Sequence, residues 1–137
     1  MARLLGPDFV SLQVRDLDAS RRFYVELLGL QVSAFTAPDF VLFESSTIPF
    51  GIARRPADQP ETNVQGGAGA GVALWIDCDN VDELHAQLVA SGATILRPPA
   101  DTPFGRAVVF ADPDGYRITA NENRWDLFPL GGSFQPR

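Results

Sequence analysis

The segment Val10-Ser11-Leu12-Gln13-Val14 recurs in a closely similar form as Val72-Ala73-Leu74-Trp75-Ile76. In both copies the first, third and fifth residues are apolar, and this alternation predicts a strand with one face on a core. A helix is predicted after each strand, over about Asp18–Leu28 and about Val81–Ser91. A glycine follows each helix, as is typical of a helix C-terminus. The chain is therefore predicted to contain two copies of one structural unit.

Further strand-like segments follow each predicted helix. After the first helix they are Gln31–Phe35, Phe40–Glu44 and Ile48–Arg54, and after the second they are Thr94–Arg97, Arg106–Phe110 and Tyr116–Asn121. The string Asp112-Pro113-Asp114-Gly115 predicts a tight turn between the last two strands. Each half thus reads β-α-β-β-β. The predicted class is α+β, with two curved mixed sheets that each carry a helix on the outer face.

The length of 137 residues predicts one domain built from these two modules. We expect module one over about 8–54, a Pro- and Gly-rich linker over about 55–70, and module two over about 71–122. The remaining tail, 123–137, contains Trp125, Phe128 and Phe134. It is too apolar for a free tail, so we expect it to pack on the domain or on a second subunit.

Composition excludes several classes of function. The net charge of −6 makes nucleic acid and anionic membranes poor partners, although it is compatible with a cationic ligand. No apolar run is long enough to cross a bilayer and the N-terminus does not resemble a secretory signal, so we expect a cytoplasmic protein. Because Cys78 and His85 are the only residues of their types, an intrachain disulfide and a His/Cys zinc site within one chain are excluded.

The strand pattern also predicts where a ligand would bind. If Val10, Leu12 and Val14 cover the helix, the residues between them lie on the opposite face, because side chains alternate along a strand. Curling of each sheet would turn these opposite faces into a concave, partly aromatic cavity, which is typical of small-molecule sites. The residues so placed are Phe9, Ser11, Gln13, Gly71, Ala73, Trp75, Asp77, Arg117, Thr119 and Asn121.

Several strings resemble the vicinal oxygen chelate superfamily, which includes glyoxalase I, extradiol dioxygenases and bleomycin resistance proteins. They are Val-Arg-Asp-Leu-Asp-Ala-Ser-Arg-Arg-Phe-Tyr-Val-Glu-Leu-Leu-Gly-Leu at 14–30, Pro-Phe-Gly-Arg at 103–106 and Phe-Ala-Asp-Pro-Asp-Gly-Tyr-Arg-Ile at 110–118. The resemblance covers roughly residues 8–122. These strings indicate the fold more strongly than any one activity.

The resemblance implies a metal site at four strand positions that usually carry His, Glu or Gln. In this sequence the positions fall on Phe9, Gly51, Gly71 and Thr119, and none is a usual ligand. The sequence therefore resembles the metal-free members, such as the bleomycin resistance proteins, which bind a drug without altering it. We expect no cofactor, and the resemblance implies a homodimer.

The leading prediction is a protein that binds a cationic or aromatic small molecule and could sequester an antibiotic. Trp75 and Phe9 would stack on the ligand. Gln13 and Arg106 would fix its orientation, and Ser11 and Thr119 complete the predicted site.

Each of these predictions has a plainer alternative. Trp75 could fill the core, and Arg106 could form a salt bridge with Asp101 or Asp112. Ser11 and Gln13 could lie on a solvated face.

Two other functions stay open at this stage. One is a metal-dependent lyase, isomerase or dioxygenase of the same superfamily with an atypical site. The other is a regulatory or structural partner domain. No catalytic residue is predicted. His85 lies within a helix, away from the strand faces. Cys78 continues the alternation of Leu74 and Ile76, which favours a thiol that is buried in the core.

Overall fold

The structure is a computed structural model that describes residues 2–55, 67 and 69–122. The chain divides into two compact units, Met1–Glu61 and Thr62–Arg137. This division falls within the segment predicted as a linker, 55–70. Most of that segment and the whole predicted tail, 123–137, lie outside the described residues.

The first unit contains a three-stranded mixed sheet and one helix. Its elements are β1 (Val10–Val14), α1 (Leu17–Arg22), a π-helical continuation of α1 (Phe23–Leu27), β2 (Phe40–Phe43) and β3 (Phe50–Arg54). The strand order is β1-β3-β2, with β1 parallel and β2 antiparallel to β3. The order along the chain is therefore β-α-β-β.

One predicted strand of the first unit, Gln31–Phe35, is wrong. Its pairing with the β2 region is limited to an isolated bridge between Val32 and Phe43. Two backbone hydrogen bonds of 2.7 Å flank this bridge, from the Ser33 amide to the Leu42 carbonyl and from the Glu44 amide to the Gln31 carbonyl. The Ser33 hydroxyl accepts a hydrogen bond from the Phe35 amide at 3.2 Å, and the Thr36 amide donates to the Ser33 carbonyl at 3.3 Å. These local bonds form a turn and so compete with a regular ladder.

The first helix packs on the sheet through an aromatic cluster. Tyr24 is fully buried, and its ring centroid lies 5.7 Å from those of both Phe43 and Phe50. Because Val10 pairs with Phe50 in register, Val10, Leu12 and Val14 share this helix-covered face, as the alternation predicts. Phe43 and Phe50 are core residues.

The second unit contains a four-stranded mixed sheet and one helix. Its elements are β4 (Leu74–Asp77), α2 (Val81–Ser91), β5 (Thr94–Thr102), β6 (Gly105–Ala111) and β7 (Arg117–Asn121). The strand order is β4-β7-β6-β5, with β4 parallel to β7 and the other pairs antiparallel. All five predicted elements of this half are present.

Local signals fix the ends of these elements. Asp16 and Asn80 cap the two helices, because their side chains accept from the amides of Ala19 and Glu83, each at 3.0 Å. Gly92 ends α2 with φ +80°, a left-handed value that glycine adopts without strain.

Asp112 organises the turn before β7. Its carboxylate accepts from the amides of Asp114 and Tyr116, at 2.9 and 2.8 Å. The predicted Asp-Pro-Asp-Gly turn is thus confirmed, and an Asx-type bond holds it.

The predicted α+β class is confirmed, with one mixed sheet of three strands and one of four. No helix among the described residues is long and apolar enough to cross a membrane.

Candidate functional site

The second sheet has one face on α2 and one face turned away from it. Arg106 reaches Asp82 of α2, so alternate residues of β6, Val108 and Phe110, also lie on the α2 side. Ala107 and Val109 therefore lie on the opposite face, which we call the far face. Cross-strand pairing adds further residues to the far face. They are Trp75 and Asp77 from β4, and Arg117, Thr119 and Asn121 from β7.

An exposed aromatic pair lies on the far face. Trp75 is 45% exposed and Phe104 is 37% exposed, and their rings meet edge to face with centroids 5.9 Å apart. Phe104 belongs to the β5–β6 hairpin, which the Thr102 hydroxyl holds by donating to the Gly105 carbonyl at 2.7 Å and accepting from the Phe104 amide at 3.1 Å. The hairpin thus brings a second ring to Trp75.

Two polar side chains lie beside these rings. Thr119 is the cross-strand partner of Trp75 and is 9% exposed, and Asn121 follows two residues later and is 3% exposed. The Asn121 amide nitrogen donates to the Phe104 carbonyl at 3.1 Å. Its Oδ1 is buried and has no hydrogen-bond partner in the described part of the chain. The site therefore combines two aromatic rings with a buried hydrogen-bond acceptor.

Three predicted site residues belong to the first unit. Phe9 immediately precedes β1 and is 50% exposed. Ser11 and Gln13 are exposed on β1, on the face opposite the helix, and they pair with Gly51 and Ala53 of β3. Their alternation is as predicted, but their convergence with Trp75 on one ligand stays a prediction.

Arg106 lies elsewhere. Its guanidinium is on the α2 side of the sheet, where it donates to both carboxylate oxygens of Asp82 at 2.9 Å and to Asp101 at 3.2 Å. These hydrogen bonds raise the pKa of Arg106, and the bond from Arg106 lowers the pKa of Asp82. The structure does not bring Arg106 together with Trp75. The ion-pair alternative describes its position, with Asp82 and Asp101 as the partners rather than Asp112.

The four positions that the resemblance assigns to metal ligands do not fit a metal ion here. Phe9, Gly51 and Gly71 offer no side-chain donor, and Thr119 offers only a hydroxyl. A Cβ built on Gly51 would lie 2.7 Å from the Val41 carbonyl oxygen, and Gly71 has φ +86°. The backbone therefore disfavours any side chain at two of the four positions. Within the described ranges there is no group of three His, Cys, Asp or Glu residues that could hold a metal ion.

Two residues of this site were not singled out by the sequence. Asn121 was placed on the correct face by its alternation with Thr119, but nothing in the pattern showed that its amide would be buried. Phe104 lies outside the predicted strands, so alternation assigns it to no face. Its position depends on the hairpin geometry, for which the nearest sequence signal is the Thr102-Pro103-Phe104-Gly105 turn.

Comparison with solved structures agrees with this fold. A protein of Agrobacterium tumefaciens whose structure was solved by NMR is 34% identical to this chain, with a TM-score of 0.66 over 88% of this chain and 98% of that one. A glyoxalase-related enzyme from Fulvimarina pelagi is 25% identical, with a TM-score of 0.62 over 85% and 88% of the two chains. The lactoylglutathione lyase of Agrobacterium tumefaciens is 19% identical, with a TM-score of 0.61 over 87% and 95%, which shows the fold alone.

The sequence comparisons assign a family. No curated protein matches the chain. The model of one family matches residues 6–119, which is most of the chain and includes β1 and most of β7. The chain belongs to the Glyoxalase/Bleomycin resistance protein/Dioxygenase superfamily.

Proposed function

We propose that this protein captures a planar aromatic small molecule on the far face of its second sheet, without a metal ion. The observation that carries the proposal is the half-exposed Trp75–Phe104 pair. An exposed ring pair beside a few polar groups is typical of small-molecule sites, where rings supply contact area and polar groups fix orientation. Thr119 and Asn121 are the polar groups in this site.

The superfamily gives the proposal its biological context. It includes proteins that bind a drug and leave it unchanged, and capture of that kind needs neither a catalytic base nor a metal ion. Sequestration of an antibiotic in the cytoplasm is therefore the role that we propose. The side chains at the four superfamily metal positions support it, because they offer one hydroxyl and no carboxylate, imidazole or thiolate.

Charge gives little further selectivity at this site. The far face carries Asp77 on β4 and Arg117 on β7, and both are exposed. These opposite charges favour neither sign of ligand. Preference for a cation rests only on the net charge of −6, which raises the local concentration of cations around the whole molecule.

An enzyme of the superfamily is the second candidate. The 25% identical relative named a glyoxalase-related enzyme favours an activity of that kind. Its similarity supports a shared fold, and fold does not fix function. The residues at positions 9, 51 and 71 weigh against metal-dependent catalysis in this chain.

Replacing Trp75 tests the proposal. We expect Trp75→Ala to weaken binding of phenol, indole or proflavine by about 10-fold or more, because it removes the larger ring. Trp75→Phe keeps a ring and should retain most of the affinity. Affinities are measured by saturation-transfer NMR and calorimetric titration.

Val89→Ala is the matched control, because Val89 is 56% exposed on α2 and the helix lies on the other side of the sheet. It should bind like the wild-type protein. If folded Trp75→Ala binds all three probes with wild-type affinity, Trp75 is not in the site and the proposal is wrong.

A further inference from the structure

Asn121 carries an unexplained polar atom. Its side chain is on the far face, and the residue is only 3% exposed. The amide nitrogen donates to the Phe104 carbonyl oxygen at 3.1 Å. Because a carbonyl can only accept, this bond assigns the nitrogen and the oxygen of the side-chain amide. The oxygen, Oδ1, is left with no partner among residues 2–55, 67 and 69–122.

A buried acceptor without a donor is rare in folded proteins and destabilises the state that contains it. Such an atom therefore calls for a donor that is supplied from outside the described chain. The general sources are a residue outside the described ranges, an ordered water and a bound ligand.

The surroundings of Asn121 favour a ligand. The residue is two positions from Thr119, the cross-strand partner of Trp75, so its Cα lies about 7 Å further along the same face. It is also bonded directly to Phe104, whose ring contacts Trp75. Asn121 is thus bonded to the residue that carries one ring and lies two positions from the cross-strand partner of the other.

We propose that Asn121 Oδ1 accepts a hydrogen bond from the ligand, and that the site selects planar aromatic molecules that carry an N–H or O–H group. This inference rests on the proposed function and narrows it to a ligand class. Ring stacking at Trp75 would bind aromatic molecules in general. The buried acceptor would discriminate among them, because a ligand that covers Oδ1 without donating to it leaves this acceptor unpaired.

Shape-matched probes test the selectivity. Indole and benzofuran have nearly the same shape, but indole has an N–H where benzofuran has an oxygen. Phenol and fluorobenzene form a second such pair. We expect the wild-type protein to bind the donor of each pair about 10-fold more tightly, as is reasonable for one hydrogen bond to a buried acceptor. Affinities are again measured by saturation-transfer NMR and calorimetry.

Two variants assign the effect to Asn121. In Asn121→Leu the preference should fall to within about twofold, because the acceptor is gone. In its protonated form Asn121→Asp keeps both an acceptor oxygen and a donor to the Phe104 carbonyl, so at acidic pH it should keep the preference. If one variant folds poorly, the other assigns the effect, and equal wild-type affinities within a pair would overturn the inference without any substitution.

The outcomes separate this inference from the proposed function. Trp75→Ala should weaken both members of a pair and leave their ratio unchanged. Equal affinity for indole and benzofuran, with binding that still depends on Trp75, would overturn the inference and leave the proposed function standing, with a water or a residue outside the described ranges as the partner of Oδ1. Absence of binding by all four probes and by proflavine would overturn both.

Discussion

Among single residues, Arg106 shows most directly how the second unit is held together. Its guanidinium donates to Asp82 of α2 and Asp101 of β5, and it lies on β6 itself, so one side chain links three elements. The bidentate geometry with Asp82 is the strong form of this interaction. Solvent weakens it, because the Asp82 side chain is 62% exposed.

The Asp82–Arg106 pair predicts a pH dependence. Because the hydrogen bond from Arg106 lowers the pKa of Asp82, the pair stabilises the fold at pH values above the ordinary aspartate pKa of about 4. That contribution is lost as the pH falls through the lowered pKa. We expect Asp82→Asn to have a slightly smaller free energy of unfolding than the wild type at neutral pH, with a difference that disappears on acidification. Urea unfolding at several pH values measures this.

Glu83→Gln is the control, because it removes an equal charge one residue further along α2. Subtracting the change in unfolding free energy of Glu83→Gln from that of Asp82→Asn leaves the contribution that is specific to the ion pair. A difference between Asp82→Asn and the wild type that persists unchanged at low pH would contradict the assignment.

Cys78 differs from its sequence prediction. It is only partly buried rather than packed in the core. Desolvation raises the pKa of its thiol, and a hydrogen bond from the Asn80 backbone acts in the opposite direction. The negative charges of Asp79, Glu122 and Asp77 raise this pKa further. A thiol in this setting is a poor nucleophile at neutral pH, which agrees with a structural role.

At the level of elements, β3 shows why a glycine occupies a superfamily metal position. Gly51 is buried between β1 and β2, and a Cβ there would meet the Val41 carbonyl oxygen at 2.7 Å and the Leu42 Cα at 3.4 Å. Backbone atoms cannot move aside as the end of a flexible side chain can. The strand is therefore packed for a residue without a side chain, and a ligand such as His or Glu has no room.

Gly51→Ala should accordingly destabilise the protein by about 1–3 kcal/mol, the usual range for overpacking a close contact. Ser11→Ala is the matched control, since Ser11 is the register partner of Gly51 and is exposed. It should change stability little. The free energies of unfolding of both variants are measured by chemical denaturation. If Gly51→Ala is as stable as the wild type, β2 and β3 are more widely spaced than in this structure.

Helix caps are the second feature at this level. Asn80 accepts from the Glu83 amide, and the Glu122 carboxylate accepts from the Val81 amide at 2.8 Å. The first amides of a helix have no acceptor within the helix. At the start of α2 two of them are thereby satisfied, one by a nearby side chain and one by the residue after β7. The second bond joins the ends of two elements that are far apart in sequence.

For the whole molecule, the resemblance to the superfamily assigns the metal positions to Phe9, Gly51, Gly71 and Thr119. Their chemistry predicts that the purified protein binds no metal stoichiometrically. After dialysis against Ni²⁺, Zn²⁺, Fe²⁺, Mn²⁺ or Mg²⁺, elemental analysis should find less than about a tenth of an equivalent per chain.

About one equivalent of any of these metals would contradict the metal-free proposal. Repeating the measurement with Thr119→Val then shows whether the Thr119 hydroxyl takes part, since this variant keeps the shape of the side chain and removes its oxygen. The predicted homodimer is a separate matter and stays a prediction. Leu4, Leu5 and Phe35 are strongly exposed in the first unit and are compatible with it.

Much of this molecule could be predicted from local pattern. Alternation in Val10–Val14 gave the strand and its covered face, and Asp16 and Asn80 marked the helix starts. Asp112–Gly115 marked the turn. These signals work because each depends on neighbours within a few residues, whose geometry the backbone imposes directly.

Other features required the tertiary structure, because they depend on residues that are distant in sequence. Arg106 pairs with Asp82, 24 residues away, although the sequence suggested a ligand or a nearer acid. The Gln31–Phe35 segment has strand-like residues, but a turn around Ser33 prevails. Phe104 reaches Trp75 only because the β5–β6 hairpin brings it over the sheet, and the same approach buries the Asn121 amide with its oxygen unpaired. Periodicity assigns a residue to a face of a sheet, but which partner meets it there is decided by how the elements pack.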